Sequence, residues 1–107
     1  MSDLIQVVGT NDFETATKSG VVLVDFFAAW CRPCRMQLPI LEQLAPDFEG
    51  RAKFIKVDTD QAQSVAVKFG IQSIPTLVIL KDGVKVAQFV GMQQAETLRT
   101  ALGAALG

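Results

Sequence analysis

Five stretches of the chain are rich in apolar, β-branched and aromatic residues. This pattern predicts β-strands at residues 4–8, 21–27, 52–58, 76–80 and 84–90. The first of them is a short edge strand, and the second is almost continuously apolar, which is typical of a parallel strand covered on both faces. Asp82-Gly83, between the last two stretches, predicts a hairpin turn.

Four other stretches repeat apolar residues at helical spacing. They predict helices at residues 12–19, 34–49, 62–69 and 94–106. We interpret Asn11 as the cap of the first helix, and Asp60 with Gln63 as a variant capping box for the third. Pro39 lies inside the second helix, where it removes a backbone donor, so we expect a kink there.

The predicted elements follow the order β-α-β-α-β-α-β-β-α. Strands that alternate with helices and end in a hairpin predict an α/β fold, with a central mixed sheet of about five strands and four helices covering both faces. A length of 107 residues fits one domain over residues 1–107 and leaves no room for a second.

Composition and charge exclude several classes of partner. The chain is 50% hydrophobic and 20% charged, its net charge is −1, and its positive and negative residues are interspersed. Nothing therefore indicates nucleic acid or an anionic membrane surface as a partner. The longest apolar stretch, residues 21–30, contains Asp25 and is too short to span a bilayer. Residues 1–3 begin no signal-like segment. We therefore expect a soluble cytoplasmic protein, and nothing in the chain requires more than a monomer.

Both cysteines and the only tryptophan lie together in Trp30-Cys31-Arg32-Pro33-Cys34. A structural zinc site wants four Cys or His ligands, whereas this chain has two cysteines and no histidine. The haem attachment signature fails as well, because Arg35 stands where histidine is needed. A loop closed by so short a disulfide would gain only about 2 kcal/mol from chain entropy, so a structural purpose is a weak explanation. Thiol and disulfide chemistry remains, without a metal.

The cysteine motif follows a buried strand and opens a helix, which gives its two thiols different roles. A Cys31 thiolate would face the unpaired N–H groups of the first helical turn, and these lower its pKa and make it the attacking sulfur. Cys34 lies one turn further in, covered by Pro33 and the helix, and is the natural resolving thiol. The alternative is a pair of unreactive buried thiols.

Asp25 is the one charge in a strand that is otherwise apolar. Burial of its carboxylate raises its pKa, and an acid so placed can move protons. Alternatively, it only bonds the turn after its strand. Lys56, in the adjacent buried strand, is the expected partner of Asp25, unless it extends to solvent instead.

These features resemble the thioredoxin family over nearly the whole chain, from Leu4 to Leu106. The residues that carry the resemblance are Val24-Asp25-Phe26, Ala29-Trp30-Cys31, Pro33-Cys34, Pro39, Lys56-Val57-Asp58, Phe69-Gly70-Ile71, Ile74-Pro75-Thr76, Asp82-Gly83 and Val90-Gly91. Thioredoxins are themselves an established example of a Cys-x-x-Cys thiol with a lowered pKa. The resemblance implies the thioredoxin fold and a general protein disulfide reductase.

The resemblance also implies roles for individual residues. In thioredoxins the carboxylate at the position of Asp25 takes the proton from the inner thiol, here Cys34. Ile74-Pro75, which alone would be expected to be trans, is implied to be cis, so that Pro75 lies against the cysteines and the Ile74 backbone is free to bond an extended substrate. Alternatively, Trp30 only packs and Gly91 only turns the chain. The implied substrate groove is shallow and apolar, and it is lined by Trp30, Pro33, Ile74, Val90, Gly91 and Met92.

Two positions depart from the family pattern. Most thioredoxins have glycine where this chain has Arg32, and tryptophan where it has Phe27. A cation about 6 Å from a thiolate contributes about 0.7 kcal/mol at the dielectric constant of water and about 2.8 kcal/mol at a dielectric constant of about 20. We hypothesise that Arg32 stabilises the Cys31 thiolate and makes the couple more oxidising. The alternative is a solvated arginine without a redox effect.

The expected reaction is dithiol–disulfide exchange with disulfide-containing proteins. A flavoprotein thioredoxin reductase is implied as the electron donor, and the redox-active disulfide Cys31–Cys34 carries the electrons with no bound cofactor. Two other functions stay open. One is a disulfide oxidase or isomerase on the same fold, against which no histidine lies between the cysteines. The other is a non-catalytic docking subunit.

Overall fold

The computed structural model describes residues 4–107. Residues 1–3, where we expect no signal-like segment, lie outside that range. The strands are β1 Ile5–Val7, β2 Val21–Phe27, β3 Ala52–Asp58, β4 Thr76–Lys81 and β5 Val84–Val90. The helices are α1 Phe13–Thr17, α2 Arg32–Leu44, α3 Gln63–Lys68 and α4 Ala95–Leu106, with a short 3₁₀ segment at Ala45–Phe48 after α2. The predicted order of elements is confirmed.

The strands form a mixed sheet in the order β1-β3-β2-β4-β5. The central strand β2 runs parallel to β3, with Asp25 opposite Lys56. On its other side β2 runs antiparallel to β4, so the prediction of a parallel strand is correct for one edge only. The hairpin between β4 and β5 forms as expected, and β1 lies at the edge of the sheet.

Both faces of β2 are buried, and this explains its nearly continuous apolar sequence. The odd-numbered positions Val21 and Leu23 pack with residues of α2 and α4. The even-numbered positions Val22, Val24 and Phe26 pack with residues near α1 and α3. Asp25 falls on the odd-numbered face, since side chains alternate along a strand. Its carboxyl is therefore enclosed on the side that α2 covers.

The predicted helix caps at the first and third helices are wrong. α1 begins after Asp12, not Asn11, and no side chain caps it. α3 begins after Ala62, again without a side-chain cap, so the capping box of Asp60 and Gln63 does not form. Instead Asp58 at the end of β3 accepts hydrogen bonds at Oδ1 from the backbone N–H of Asp60, at 2.9 Å, and of Gln61. The Asp58 carboxylate turns the chain, which leaves the Asp60 side chain available elsewhere.

The second helix starts earlier and ends earlier than predicted. Cys31 is its N-terminal cap and Arg32 its first residue, with Pro33 in the first turn, where a missing N–H costs nothing. Pro39 lies inside α2 without ending it, and the kink expected there stays a prediction. The α-helix gives way to the 3₁₀ segment at Ala45, next to Pro46. Because Pro46 has no N–H, the α-helical hydrogen bond cannot continue at that position.

Replacing Leu102 with alanine should lower the free energy of unfolding by about 2–5 kcal/mol, since the side chain is fully buried in α4 and its loss leaves a cavity. Urea unfolding measures the effect. Thr100→Ala, an exposed change on the same helix, should stay within about 0.5 kcal/mol of the wild type. Equal losses in both variants would contradict this placement of the core.

Candidate functional site

The end of β2 delivers the chain into the cysteine motif. Cys31 adopts an extended backbone conformation, with φ −86° and ψ 113°, immediately before α2. Its sulfur accepts a hydrogen bond from the Cys34 backbone N–H, with an N–S distance of 3.3 Å. The two residues are joined as a disulfide, and their Cα atoms lie 5.3 Å apart. The prediction that the motif opens a helix is confirmed.

The two cysteines differ in their neighbours and not in their exposure. Both are 4% exposed. The Cys31 sulfur lies 3.8 Å from the carbonyl oxygen of Ile74, a residue shortly before the start of β4. Cys34 instead faces a cavity of about 220 Å³ that it shares with Asp25 and Lys56. The inner position expected for Cys34 is thus beside the buried carboxyl.

Asp25 is buried in the middle of the sheet, with 1% of its surface exposed. Its Oδ1 atom has no hydrogen-bond partner among residues 4–107. Burial raises the pKa of Asp25 from 3.8 to about 7, and the positive charge of Lys56 opposes that rise. Desolvation outweighs the attraction, so this carboxyl can hold or release a proton close to neutral pH.

Lys56 is the register neighbour of Asp25 on β3. Its ammonium nitrogen lies 5.4 Å from the ring centroid of Phe27, within the range of a cation–π contact. It also borders the cavity that contains the Asp25 carboxyl. Lys56 is therefore close enough to lower the pKa of Asp25, and its ammonium group also contacts the ring of Phe27.

The peptide bond between Ile74 and Pro75 is cis, as the resemblance implied. The Pro75 carbonyl accepts a hydrogen bond of 2.8 Å from the Gly91 N–H, which joins this segment to the end of β5. Within the described range, neither the N–H nor the carbonyl of Ile74 takes part in a backbone hydrogen bond. The Ile74 backbone beside the disulfide is thus available to a ligand.

The residues expected to line the groove differ in exposure. Trp30 is 70% exposed and Val90 is 61% exposed. Pro33 is also exposed, whereas Ile74, Gly91 and Met92 are partly buried. Gly91 has φ 89°, which favours glycine, and its N–H bonds the Pro75 carbonyl, so the end of β5 is joined to the segment that contains Ile74. A common groove around the disulfide stays a prediction.

Two polar residues at the site were missed by the sequence analysis. The Trp30 indole N–H donates a hydrogen bond of 2.9 Å to the Asp60 carboxylate, so Asp60 orients the tryptophan instead of capping a helix. Gln37 is fully buried in α2 and bonds the backbone of Gln93. The sequence carried no signal for the first contact, because an exposed indole N–H can also bond water. It carried none for Gln37 either, because its partner lies far along the chain.

The two arginines of the motif differ in their contacts. Arg32 is exposed at the start of α2 and makes no hydrogen bond or ion pair with any residue from 4 to 107. Arg35 donates from Nη1 to the Ala29 carbonyl at 3.0 Å and borders the cavity around Asp25. The charge of Arg32 is therefore not tied to another protein group.

A larger depression of about 390 Å³ lies where β2 and β3 begin, at the other end of the sheet. Its basic residues are already bonded, since Arg51 donates to the Asp47 carbonyl and Lys53 to the Ala16 carbonyl. Its lining contains no sulfur. Cys34 and Asp25 both line the smaller cavity instead.

Residues 4–107 contain no cluster of three or more His, Cys, Asp or Glu side chains that could hold a metal ion. None of the helices in this range has the length and apolar character needed to cross a membrane.

Comparison with known proteins agrees with this geometry. The family model described as Thioredoxin matches residues 4–104. The chain belongs to the thioredoxin family. Thioredoxins from several Staphylococcus aureus strains are 50% identical to it over 91 residues, which is 85% of this chain and 88% of theirs. The crystal structure of Malassezia sympodialis thioredoxin superposes with a TM-score of 0.84 at 32% identity, covering 96% of this chain and 91% of that one.

Membership of the thioredoxin family and the paired sulfurs of Cys31 and Cys34 establish a thiol–disulfide reductase. Its substrates in general are disulfides, and a reductase must return electrons to the Cys31–Cys34 pair after each turnover. The predicted fold, reaction and redox-active disulfide are confirmed.

Asp25→Asn should change how stability depends on pH. The unfolded carboxyl ionises near 3.8, whereas the folded one keeps its proton until about 7. The wild type should therefore lose stability as pH rises between these values and level off above them. Asp25→Asn should lack this slope and be about 2–4 kcal/mol more stable than the wild type near pH 8. Urea unfolding of the oxidised proteins across this pH range measures the difference.

Asp12→Asn is the matched control, because Asp12 is exposed and its side chain makes no cap hydrogen bond. That variant should keep the slope of the wild type. A stability difference between the wild type and Asp25→Asn that does not grow as the pH rises from about 4 to about 7 would contradict the raised pKa of Asp25.

Proposed function

We propose that Cys31 attacks the substrate disulfide and that Cys34 resolves the resulting mixed disulfide, with Asp25 as the proton acceptor. The observation that carries this assignment is the shared cavity of Cys34 and Asp25, whereas Cys31 lies beside the free backbone of Ile74. A sulfur that attacks a protein substrate must lie where that substrate can bind, which fits Cys31 beside Ile74. A thiol that loses its proton inside the protein needs a nearby base, which fits Cys34.

The proposed reaction has two displacement steps. In the reduced protein, the Cys31 thiolate attacks one substrate sulfur, an S–S bond forms to Cys31, and the other substrate sulfur leaves as a thiolate. The Asp25 carboxylate then takes the proton from the Cys34 thiol. The Cys34 thiolate attacks the Cys31 sulfur, closes the Cys31–Cys34 disulfide and releases the second substrate sulfur. Two electrons pass from the dithiol to the substrate.

Lys56 is proposed to adjust the proton affinity of Asp25. Its positive charge favours the ionised carboxylate and so opposes the effect of burial. Removal of Lys56 would raise the pKa of Asp25 further, so that near neutral pH a smaller fraction of the protein would carry the ionised carboxylate that can accept the Cys34 proton. The contact between the Lys56 ammonium and the Phe27 ring supports a fixed position for this charge.

The substrate is proposed to bind as an extended segment across the groove. Ile74, next to the Cys31 sulfur, makes no backbone–backbone hydrogen bond within residues 4–107, which suits the addition of a peptide strand. The side chains of Trp30, Val90 and Met92, with Pro33 and Gly91, would supply apolar contact. Such recognition depends on the peptide backbone more than on sequence, which fits a general reductase.

The proposal also covers the electron donor, the location, the oligomeric state and the cofactor. We infer that a flavoprotein thioredoxin reductase supplies electrons, that the protein acts in the cytoplasm as a monomer, and that the one domain of residues 1–107 needs no bound cofactor. Support comes from the dithiol itself, which can carry two electrons, and from the balanced net charge of −1. Insulin reduction coupled to purified thioredoxin reductase, and separately to glutathione, tests the electron donor.

Serine variants of the two cysteines should behave differently. Cys31→Ser should lower the rate of insulin disulfide reduction at least about a hundredfold, because a hydroxyl is a far weaker nucleophile than a thiolate. Cys34→Ser should instead accumulate a mixed disulfide between Cys31 and the substrate, since the resolving step is lost. Mass spectrometry of the unreduced reaction mixture detects the trapped complex. A complex trapped equally well by Cys31→Ser would overturn the assignment of the two roles.

Arg32→Gly should lower the reduction potential of the Cys31–Cys34 couple by about 10–20 mV, because the arginine stabilises the Cys31 thiolate of the reduced state. Equilibration with a glutathione redox buffer measures the potential. Arg32→Met should give a similar shift by removing the charge without adding backbone freedom, and Arg32→Lys should keep the wild-type value. An unchanged potential in both charge-removing variants would refute the effect of Arg32.

A further inference from the structure

Gln37 is a fully buried polar side chain one helical turn beyond Cys34. Its Nε2 group donates to the Gln93 carbonyl at 3.0 Å. Its Oε1 atom accepts from the Gln93 N–H at 2.7 Å. One amide side chain thereby pairs with both backbone groups of one residue, as a neighbouring strand would. Neither cysteine chemistry nor the hydrophobic core requires an amide at this position.

The backbone of Gln93 lies beyond the last residue of β5, where no strand can pair with it. Gln93 is partly buried, whereas Gln37 is fully buried, and a buried amide without hydrogen bonds is costly. Gln37 and Gln93 satisfy each other. A leucine or methionine at position 37 would fill similar space but leave the backbone groups of Gln93 unpaired.

The segment held by Gln37 is the one that borders the groove. The side chain of Gln93 folds back and donates to the carbonyls of Gly91, at 3.1 Å, and Val90, at 3.4 Å. The Gly91 N–H bonds the Pro75 carbonyl at 2.8 Å. Residues 90–93 are therefore fixed at one end to the cis-proline segment and at the other to the helix that carries Cys34.

We propose that Gln37 is a positioning residue for protein substrates: it fixes the wall of the groove formed by Val90, Gly91 and Met92 relative to the disulfide. This inference rests on the proposed binding of an extended substrate across the groove. Within residues 4–107 Gln37 makes no hydrogen bond with either cysteine or with Asp25, so its loss should weaken recognition of a polypeptide without slowing the exchange chemistry. A small disulfide reaches Cys31 without contacting the groove wall, so its rate of reaction should not change.

The test compares a protein disulfide with a small one for the variant Gln37→Met. Pre-reduced protein is mixed with increasing insulin in single turnovers, and formation of the Cys31–Cys34 disulfide is followed without any reductase. The half-saturating insulin concentration should rise about 3- to 10-fold, while the limiting rate stays as in the wild type. The second-order rate constant with 5,5′-dithiobis(2-nitrobenzoic acid) should be unchanged.

Gln43→Met is the matched control, because Gln43 is exposed on the same helix and the chemical change is identical. It should leave both substrates unaffected. Gln93→Ala keeps the backbone pair with Gln37 but removes the brace on Gly91 and Val90, so it should raise the half-saturating insulin concentration by a smaller factor. This variant also serves if Gln37→Met fails to fold.

An insulin concentration dependence of Gln37→Met equal to that of the wild type would overturn the proposal. An equal slowing with insulin and with the small disulfide would also overturn it, because it would indicate a general disturbance of α2. Failure of the proposed function is distinguishable, since the wild-type protein itself would then not oxidise with insulin.

Discussion

Burial of β2 on both faces is the constraint on which the rest of the structure depends. The strand lies between β3 and β4 at the centre of the sheet, with helices packed on each side. Its rigid end fixes the position of Cys31, because only Ala28, Ala29 and Trp30 separate the two. The same burial makes the one charged residue of the strand, Asp25, reactive. A single packing arrangement therefore sets both the place of the disulfide and the proton affinity beside it.

The electrostatics of the site result from two opposed effects of known direction. Desolvation favours the neutral carboxyl of Asp25, and the nearby charge of Lys56 favours the ionised form. If the attraction of Lys56 dominated, the pKa of Asp25 would lie below 3.8 and the group would not exchange protons near neutrality. Because desolvation dominates, the pKa is about 7. Burial of an unpartnered Oδ1 atom is unfavourable for folding, but it gives the carboxyl a pKa suited to accepting a thiol proton.

The parts of the fold that were predictable are those set by local hydrophobic pattern. The bounds of β3 and β5 agree with the sequence prediction at both ends, and every predicted helix exists. The capping box before α3 was wrong because the Asp58 carboxylate accepts from the backbone N–H groups of Asp60 and Gln61, while the Asp60 carboxylate accepts from Trp30. The antiparallel pairing of β2 with β4 was likewise invisible in the pattern of β2 alone.

The residues of the candidate site were also predictable only where the local sequence identifies them. Cys31, Cys34 and Asp25 could be chosen from their own residue types, since each is chemically conspicuous in its surroundings. Gln37 could not be chosen in this way. A glutamine at an inward helical position looks like a sign that the helix has been oriented wrongly, until its partner Gln93 is known. The hydrogen bonds of Gln37 join residues that are 56 apart in the sequence. Its proposed role in positioning substrates therefore depends on a contact that the local pattern of α2 does not contain.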